Sequence, residues 1–192
     1  MSTLVDKEAA LARRIADERA MRSWSLAELA QRSGVSRAML SKVERSEASP
    51  TATVLMRIAA AFETTLADLL SEKASAPRHL SGDEQPTWID PASGYRRRQI
   101  YLSASLPLEL VEVLLPPGAV ISAPASAYAL IRQVLWVLEG KVVIDEGGEP
   151  TVLETGDRLE FGAPSDVQFR NESGRPCRYL VAVVRQGGRS TT

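Results

Sequence analysis

The spacing of apolar residues changes in the middle of this chain, and this change limits the folds open to it. In the first 70 residues apolar side chains recur three or four positions apart, as in Leu11 with Ile15, which predicts amphipathic helices. From residue 87 onward, short runs rich in Val, Leu and Ile alternate with turns that contain Gly or Pro, which predicts an antiparallel sandwich or barrel. The sequence therefore predicts an α plus β protein with an all-α domain followed by an all-β domain.

The segment between these two patterns has the composition of a linker. It is rich in Ser, Ala, Pro and charged residues and has few apolar side chains to bury. We expect a helical domain over residues 1–71, a linker over residues 72–86 and a β domain over residues 87–192. The strands predicted for the second domain are Gln99–Ala104, Leu108–Leu115, Ile131–Leu138, Lys141–Asp145 and Arg178–Val184.

The overall composition favours a folded protein and excludes nucleic-acid coating by charge alone. Hydrophobic residues make up 44% and charged residues 24%, with a formal net charge of -1, whereas histone-like binding needs many uncompensated Lys and Arg. The only cysteine, Cys177, cannot form an intrachain disulfide. No apolar stretch is long enough for a signal peptide or a membrane span, so we expect a cytoplasmic protein with no membrane partner.

Residues 25–44 carry the pattern of two helices joined by a tight turn. Ser25 with Glu28 forms a capping-box pattern at the start of one helix, and Ser36 can cap the next. Gly34 lies between them, where a left-handed conformation costs little only without a Cβ atom. The sequence thus predicts a helix-turn-helix motif.

The second helix of this motif is predicted to offer a polar face to a DNA groove. Leu40 and Val43 point inward at helical spacing, so Arg, Lys and Ser side chains share the opposite face. Such groups suit guanine edges and phosphates in a major groove, and an ordinary solvated helix face is the alternative. The residues predicted to contact DNA are Ser25, Ser36, Arg37, Ala38, Ser41, Lys42 and Arg45.

This arrangement resembles the Xre family of lambda-repressor-like DNA-binding domains over nearly all of residues 6–70. The stretch from Leu29 to Glu44 matches the pattern LAxxxGVSxxxLSxxE, and Ser49-Pro50 with a final apolar helix follows it. The resemblance implies a five-helix domain that binds double-stranded DNA in a sequence-specific transcriptional regulator. Ser46 stands where the family usually has Gly after the recognition helix.

The second half is similar to the cupin family, a double-stranded β-helix barrel, over roughly residues 88–185. The similarity lies in Val137-Leu138-Glu139-Gly140, in Gly156-Asp157 and in Asn171. In metal-binding cupins the ligands are His and Glu side chains, and the resemblance places them at Ser126, Tyr128, Gln133 and Val167. None of these four residues is His or Glu, so we expect no metal, no cofactor and no enzymatic activity. The alternative is a cupin-type isomerase or oxygenase fused to the helix-turn-helix domain.

The same substitutions predict a cup for a small organic effector instead. If these segments are strands with alternating side chains, the interior is apolar with one hydroxyl, one phenol and one amide. A barrel packed only for stability and dimerisation is the alternative. The predicted lining residues are Ser126, Tyr128, Gln133, Leu135 and Val167.

Two further side-chain predictions concern the outside of the barrel. Trp136 lies on the strand face opposite Gln133, and we expect it to be buried against a second sheet or a partner subunit. One arginine of the run Arg96-Arg97-Arg98 is expected to pair with Glu109 or Glu112.

A single recognition helix covers too little DNA for tight specific binding. We therefore expect a homodimer on a palindromic operator, with the barrel as the dimerising element. A module that binds only other proteins is a further alternative.

Overall fold

The computed structural model describes residues 4–71, 78–102 and 106–185. Its N-terminal part is all-α, as predicted, because apolar side chains at helical spacing need a common core to cover them. No helix in these described ranges is long and apolar enough to cross a membrane. The helices are α1 (Leu4–Met21), α2 (Leu26–Ser33), α3 (Arg37–Glu44), α4 (Ala52–Ala61) and α5 (Leu66–Leu70).

The helix-turn-helix motif begins and ends at the residues that the sequence predicts. The Ser25 hydroxyl accepts from the Glu28 amide at 3.2 Å, and the Glu28 carboxylate accepts from the Ser25 amide at 2.6 Å, which completes a capping box before α2. Gly34 ends α2 with φ +65°, and Ser36 Oγ accepts from the Met39 amide at the start of α3. The turn that joins α2 and α3 is therefore fixed by local hydrogen bonds.

Helix α3 ends in a left-handed residue that is not glycine. Ser46 has φ +58°, and the Glu47 amide donates to the Lys42 carbonyl at 2.8 Å while the Ser46 amide donates to the Val43 carbonyl at 3.0 Å. This pair of bonds is a Schellman motif, which favours glycine at its left-handed position. The serine thus occupies a conformation that glycine would adopt without strain.

The C-terminal part folds into two antiparallel sheets. The first has six strands in the order β1-β2-β3-β10-β5-β8, and the second has four in the order β4-β9-β6-β7. The strands are β1 (Thr87–Ile89), β2 (Arg96–Leu102), β3 (Leu108–Leu115), β4 (Val120–Ala123), β5 (Ile131–Glu139), β6 (Lys141–Glu146), β7 (Glu149–Glu154), β8 (Arg158–Glu160), β9 (Val167–Arg170) and β10 (Cys177–Arg185).

All five predicted strands are present, Leu108–Leu115 with the predicted ends and the other four with shifted ends. Residues 103 and 104 of the predicted strand over residues 99–104 lie outside the described residues. The strands that the sequence analysis did not predict are mostly short or polar, as in β8 (Arg158–Glu160) and β9 (Val167–Arg170). A short strand with few apolar residues leaves little periodic signal.

The core of the barrel lies between the two sheets. Along β3 buried and half-buried residues alternate, and Val111 and Val113 face the core. Ile144 and Phe169 meet them from the second sheet within one buried cluster. Gly140 allows a close approach at the end of β5, because an added Cβ atom would lie 2.7 Å from the Pro176 carbonyl.

One expectation about the barrel is wrong, and a second is wrong in the first of its two alternatives. Residues 125–128 form a 3-10 helix rather than a strand, because Pro124 starts a turn whose carbonyl accepts from the Ala127 amide at 2.9 Å. Side chains there do not alternate, and Ser126 is exposed. Trp136 is 49% exposed on the outer face of the larger sheet, so it is not buried against the second sheet.

The helical part packs directly on the barrel. Ala52 of α4 is fully buried in the barrel cluster, and its amide donates to the Asp90 carboxylate at 3.2 Å. The Ser122 amide of β4 donates to the Thr53 hydroxyl at 3.2 Å, and Trp88 packs against both hydrophobic clusters. Helix α4 therefore contributes to both hydrophobic cores. The sequence analysis, which predicted two domains joined by a linker, did not predict this contact.

Candidate nucleic-acid interface and barrel cavity

Helix α3 presents most of the predicted DNA-contacting residues at the surface. Arg37, Ala38 and Lys42 are exposed on this helix, and Arg37 has no ion pair or hydrogen bond within the described residues. The two capping serines, Ser25 and Ser36, are also exposed. Five of the seven predicted residues therefore lie at the α2–α3 surface. Among the described residues, the side chains of the three on α3 have no hydrogen-bond or ion-pair partner, and each capping serine accepts a hydrogen bond from one backbone amide.

Arg45 and Ser41 differ from that expectation because they bind each other. Ser41 is half-buried, and Arg45 donates a hydrogen bond to its hydroxyl. Arg45 also pairs with Glu47 at 2.7 Å, and this hydrogen-bonded guanidinium, assisted by the charge of Lys42, lowers the pKa of the Glu47 carboxyl. Both partners of the Arg45–Glu47 pair are about half exposed, so solvent screens it and the arginine can exchange partners.

The inner side of α3 is held by apolar packing and by a charged pair. Leu40 is fully buried and Val43 is 2% exposed. Glu44 receives two parallel hydrogen bonds from Arg19 of α1, at 2.7 and 2.8 Å, and Arg19 also donates to the Trp24 carbonyl. The bond to Glu44 raises the pKa of Arg19. This fork geometry fixes the orientation of α3 relative to α1.

A cavity of about 90 Å³ lies at the end of the barrel that faces the helices. Its walls include valine side chains of β3 and β10 and, from the helical part, Met56 and Ala59 of α4. The corner between α4 and α5 closes it with Thr64, Thr65 and Leu66. The polar barrel residues that line it are Arg97, Glu109, Tyr128, Gln133, Tyr95 and Tyr179. Both halves of the chain therefore build this cavity.

A buried carboxylate links the barrel to α5 beside the cavity. Glu109 is 1% exposed, and its Oε1 atom accepts from Arg185 at 2.7 and 2.9 Å and from the Thr65 hydroxyl at 3.0 Å. Arg185 also binds Asp68 of α5 at 2.7 Å. The bonds to both carboxylates raise the pKa of Arg185 against the opposing effect of burial. These contacts tie the end of the helical part to strands β3 and β10.

The donors on the cavity wall have few partners. Gln133 is 8% exposed, and its Nε2 atom is buried without a hydrogen-bond partner in the described residues. Arg97 lies 4.0 Å from Glu109 Oε2, a long distance for an ion pair. Burial raises the pKa of Tyr128, so its phenol is a neutral hydrogen-bond donor at physiological pH.

The predicted lining of the cup coincides only partly with this cavity. Tyr128 and Gln133 line it, whereas Leu135 and Val167 are buried in the barrel core and Ser126 is on the surface. Sequence analysis did not assign Glu109 or Arg97 to the interior. The available signal was the alternation in β3, which puts residue 109 on the same face as Val111.

The expected arginine pairing occurs twice at the edge of the sheet. Arg98 binds Glu112 at 2.8 Å, and Arg97 approaches Glu109 at 4.0 Å. The donor set for a metal is poor at the four positions suggested by the cupin resemblance, since they hold Ser, Tyr, Gln and Val. Across the described ranges, His, Cys, Asp and Glu nowhere form a group of three or more suited to a metal ion.

Comparison with known families assigns both parts of the chain. Residues 15–69 match the profile of the HTH_3 family, described as helix-turn-helix, and residues 111–183 match the Cupin_2 family, described as cupin domain. The chain is therefore a helix-turn-helix protein with a C-terminal cupin domain, as its α plus β fold indicates.

Individual relatives match most of the chain. The chain is 29% identical over 154 residues to the HTH-type transcriptional regulator SutR of Escherichia coli K12, covering 80% of this chain and 82% of that protein. The crystal structure of an HTH_3 family transcriptional regulator from Vibrio cholerae has the same fold, with a TM-score of 0.77 and 24% identity over 95% of this chain and 98% of that chain. The structure of Fe(II) HppE is more distant, with a TM-score of 0.48 and 20% identity over 92% of this chain and 98% of that chain.

Proposed function

We propose that this protein is a transcriptional regulator that binds a specific DNA sequence through α3, and that its cupin domain responds to a small molecule. The observation that carries the proposal is the exposed basic face of α3 on a helix whose opposite face is fully packed. Similarity to a transcriptional regulator of E. coli over most of both chains supports it.

The surface of α3 fits a duplex better than a protein partner. Arg37 and Lys42 leave two cationic side chains without a close ion pair within the described residues, and phosphates or guanine edges supply the missing acceptors. The Arg19–Glu44 pair and the buried Leu40 hold the helix in one orientation. A rigid helix loses little conformational freedom when it enters a groove.

The test is DNA binding by the full chain and by an Arg37→Ala/Lys42→Ala variant. Genomic fragments that the native protein retains are selected first, and fluorescence anisotropy then measures Kd over a series of salt concentrations. Two lost contacts worth about 1 kcal/mol or more each predict at least a tenfold weaker Kd and a smaller salt slope. The thermal unfolding temperature should stay within about 2 °C because both side chains are exposed.

A matched control separates the site from overall charge. Lys141→Ala/Arg175→Ala removes the same charge from exposed barrel positions and should leave operator binding nearly unchanged. Equal loss in both double variants would show that total charge and not α3 controls binding. Unchanged binding in the α3 variant would overturn the proposed interface.

The protein is proposed to act as a homodimer joined through the outer face of the larger sheet. We define this outer face by Leu110 of β3, Val134 and Trp136 of β5, and Leu180 and Ala182 of β10, which are neighbours across the strands. Trp136 is 49% exposed there. An apolar sheet face of this kind favours burial against a second copy.

Sedimentation equilibrium tests the dimer with and without operator DNA. Wild-type protein should sediment as a dimer, and Trp136→Glu should shift the equilibrium toward monomer because it buries a charge at the interface. A matched Val152→Glu variant, which changes an exposed apolar residue of the smaller sheet, should remain dimeric. A wild-type monomer on its operator would refute this part of the proposal.

We propose that the cupin domain is not catalytic. The cavity is lined by apolar walls with a few polar groups, which is typical of a binding site. The four cupin ligand positions lack metal-binding side chains. Bound transition metal at one ion per chain in protein from its own host, together with turnover of a substrate, would favour a cupin enzyme instead.

A further inference from the structure

The cavity at the junction of the helices and the barrel has an excess of hydrogen-bond donors. Gln133 is 8% exposed, and its amide Nε2 atom has no partner in the described part of the chain. Buried donors of this kind are normally paired, so an unpaired one indicates an absent acceptor. Tyr128 adds a phenol hydroxyl to the same wall, where burial raises the pKa of the phenol and the nearby Gln133 amide partly opposes this rise.

The cavity also contains a cation whose ion pair is long. The Arg97 side chain is 10% exposed and its nearest carboxylate oxygen, Glu109 Oε2, is 4.0 Å away. The other oxygen of Glu109 accepts two hydrogen bonds from Arg185, which Glu109 shares with Asp68. The nearest acceptors of Arg97 are Gln99 Oε1 at 3.5 Å and Glu109 Oε2 at 4.0 Å. Both contacts are long, so the guanidinium keeps N–H donors for a further acceptor, and a planar carboxylate matches its geometry.

We propose that this cavity binds a small carboxylic acid, with its carboxylate against Arg97 and a second oxygen accepting a hydrogen bond from Gln133. This inference rests on the effector function proposed above and specifies the chemistry of the effector. Such an acid supplies an acceptor to Gln133 and a planar anion to Arg97, whose present contacts are long.

The dimensions of the cavity limit the size of this acid. Val183 pairs with Glu109 on one side and with Gln133 on the other, so two strand spacings of about 4.8 Å each separate those backbones. Arg97 belongs to β2, one strand beyond β3, and its side chain reaches back to 4.0 Å from Glu109 Oε2. The cavity volume of about 90 Å³ is well below the roughly 300 Å³ of the smallest drug-sized sites. The acid therefore has a short apolar body and few heavy atoms.

An acid bound here would act directly on the helical part. Thr65 and Leu66 line the cavity, and Thr65 donates to Glu109. A carboxylate beside Arg97 repels the carboxylate of Glu109 and so weakens the contacts that hold α5 to the barrel. Binding of the acid then changes the distance between α3 of one protomer and α3 of its partner. This distance sets the affinity of the dimer for its operator.

Calorimetric titration of the refolded full chain tests the ligand class. The probes are pyruvate and lactate, their uncharged amides pyruvamide and lactamide, and ethanolamine as a cation of similar size. We expect at least one acid to bind with a Kd of about 1 mM or lower, and its amide to bind at least about tenfold more weakly because the charge is lost. Absence of acid binding, or tighter binding of ethanolamine, would overturn the inference.

Three variants locate the binding acid. Arg97→Gln should weaken the binding of the acid at least about tenfold. Gln133→Leu should remove the preference for lactate or pyruvate over propionate, which has a carboxylate but no oxygen on the neighbouring carbon. Arg96→Gln, an exposed neighbour in the same run, should bind like wild type. Equal affinity in Arg97→Gln and Arg96→Gln, with both variants folded by circular dichroism, would contradict the site.

The same samples separate this inference from the proposed regulator function. Anisotropy with operator DNA is measured without any acid. Normal DNA binding with no acid binding would refute the carboxylate site alone. Acid binding that depends on Arg97, with no DNA binding, would leave the site and refute the regulator.

Discussion

The surface of α3 and the cavity use charged side chains in opposite ways. Arg37 and Lys42 are exposed and lack a close partner in the described residues, while Glu109 is 1% exposed and bound by Arg185 and Thr65. An exposed cation stays hydrated at little cost in free energy and can bind a charged partner. A buried carboxylate is stable only while its hydrogen-bond and ion-pair partners remain. The comparison indicates that α3 is built for contact with another molecule and that the Glu109 contacts are built to hold two parts of one molecule together.

Removing the buried carboxylate should give the largest loss of stability. Glu109→Ala leaves Arg97 buried without a carboxylate and frees Arg185 from the barrel, so we expect a loss of about 3 kcal/mol in the free energy of unfolding. Urea unfolding followed by circular dichroism and by tryptophan fluorescence measures this loss in both halves. Glu109→Gln, which keeps the shape and one acceptor, should lose less.

The ion pair behind α3 should contribute less than the pair inside the barrel. Glu44→Ala removes two hydrogen bonds from Arg19, whose side chain is 22% exposed and can turn toward water. We expect a loss of about 1–2 kcal/mol. The same urea experiment measures it, and Glu47→Ala on the exposed Arg45 pair serves as a control with a change under about 1 kcal/mol. A larger loss for Glu44→Ala than for Glu109→Ala would reverse the comparison of the two regions.

The helical half was the more predictable from sequence because its signals are local. Capping by Ser25 and Ser36 and the turn at Gly34 depend on residues no more than four positions apart. The family resemblance extended these signals to a five-helix domain. The structure confirms the α plus β fold, and the exposed side of α3 agrees with the inward placement of Leu40 and Val43.

The cavity could not be derived in the same way because its walls come from distant parts of the chain. Thr65 and Glu109 are 44 residues apart, and Asp68 and Arg185 are 117 residues apart. Strand alternation predicted the inward side of Gln133 correctly and failed at Ser126, where a proline starts a 3-10 helix. The docking of α4 on the barrel depends on Ala52 and Asp90, and no periodic pattern encodes such a contact.

The smallest expected effect concerns Ser46, in the turn that ends α3. Ser46 has φ +58° and Gly34, at the corresponding end of α2, has φ +65°. A left-handed serine costs about 1 kcal/mol relative to glycine, so Ser46→Gly should stabilise the chain by up to about that amount, and Gly34→Ala should destabilise it by about the same. Thermal unfolding of the two variants beside wild type measures both changes.

This pair of variants also tests whether strain at the end of α3 has a function. Neither substitution changes a charge. An added Cβ atom at Gly34 meets no heavy atom within 4 Å, so Gly34→Ala acts through the backbone alone, whereas Ser46→Gly also removes a hydroxyl. If Ser46→Gly stabilises the fold and leaves operator binding unchanged, the serine lowers stability without contributing to DNA binding. If it stabilises the fold and weakens operator binding, the Ser46 hydroxyl lies at the DNA, and the interface extends past α3 into the turn that follows it.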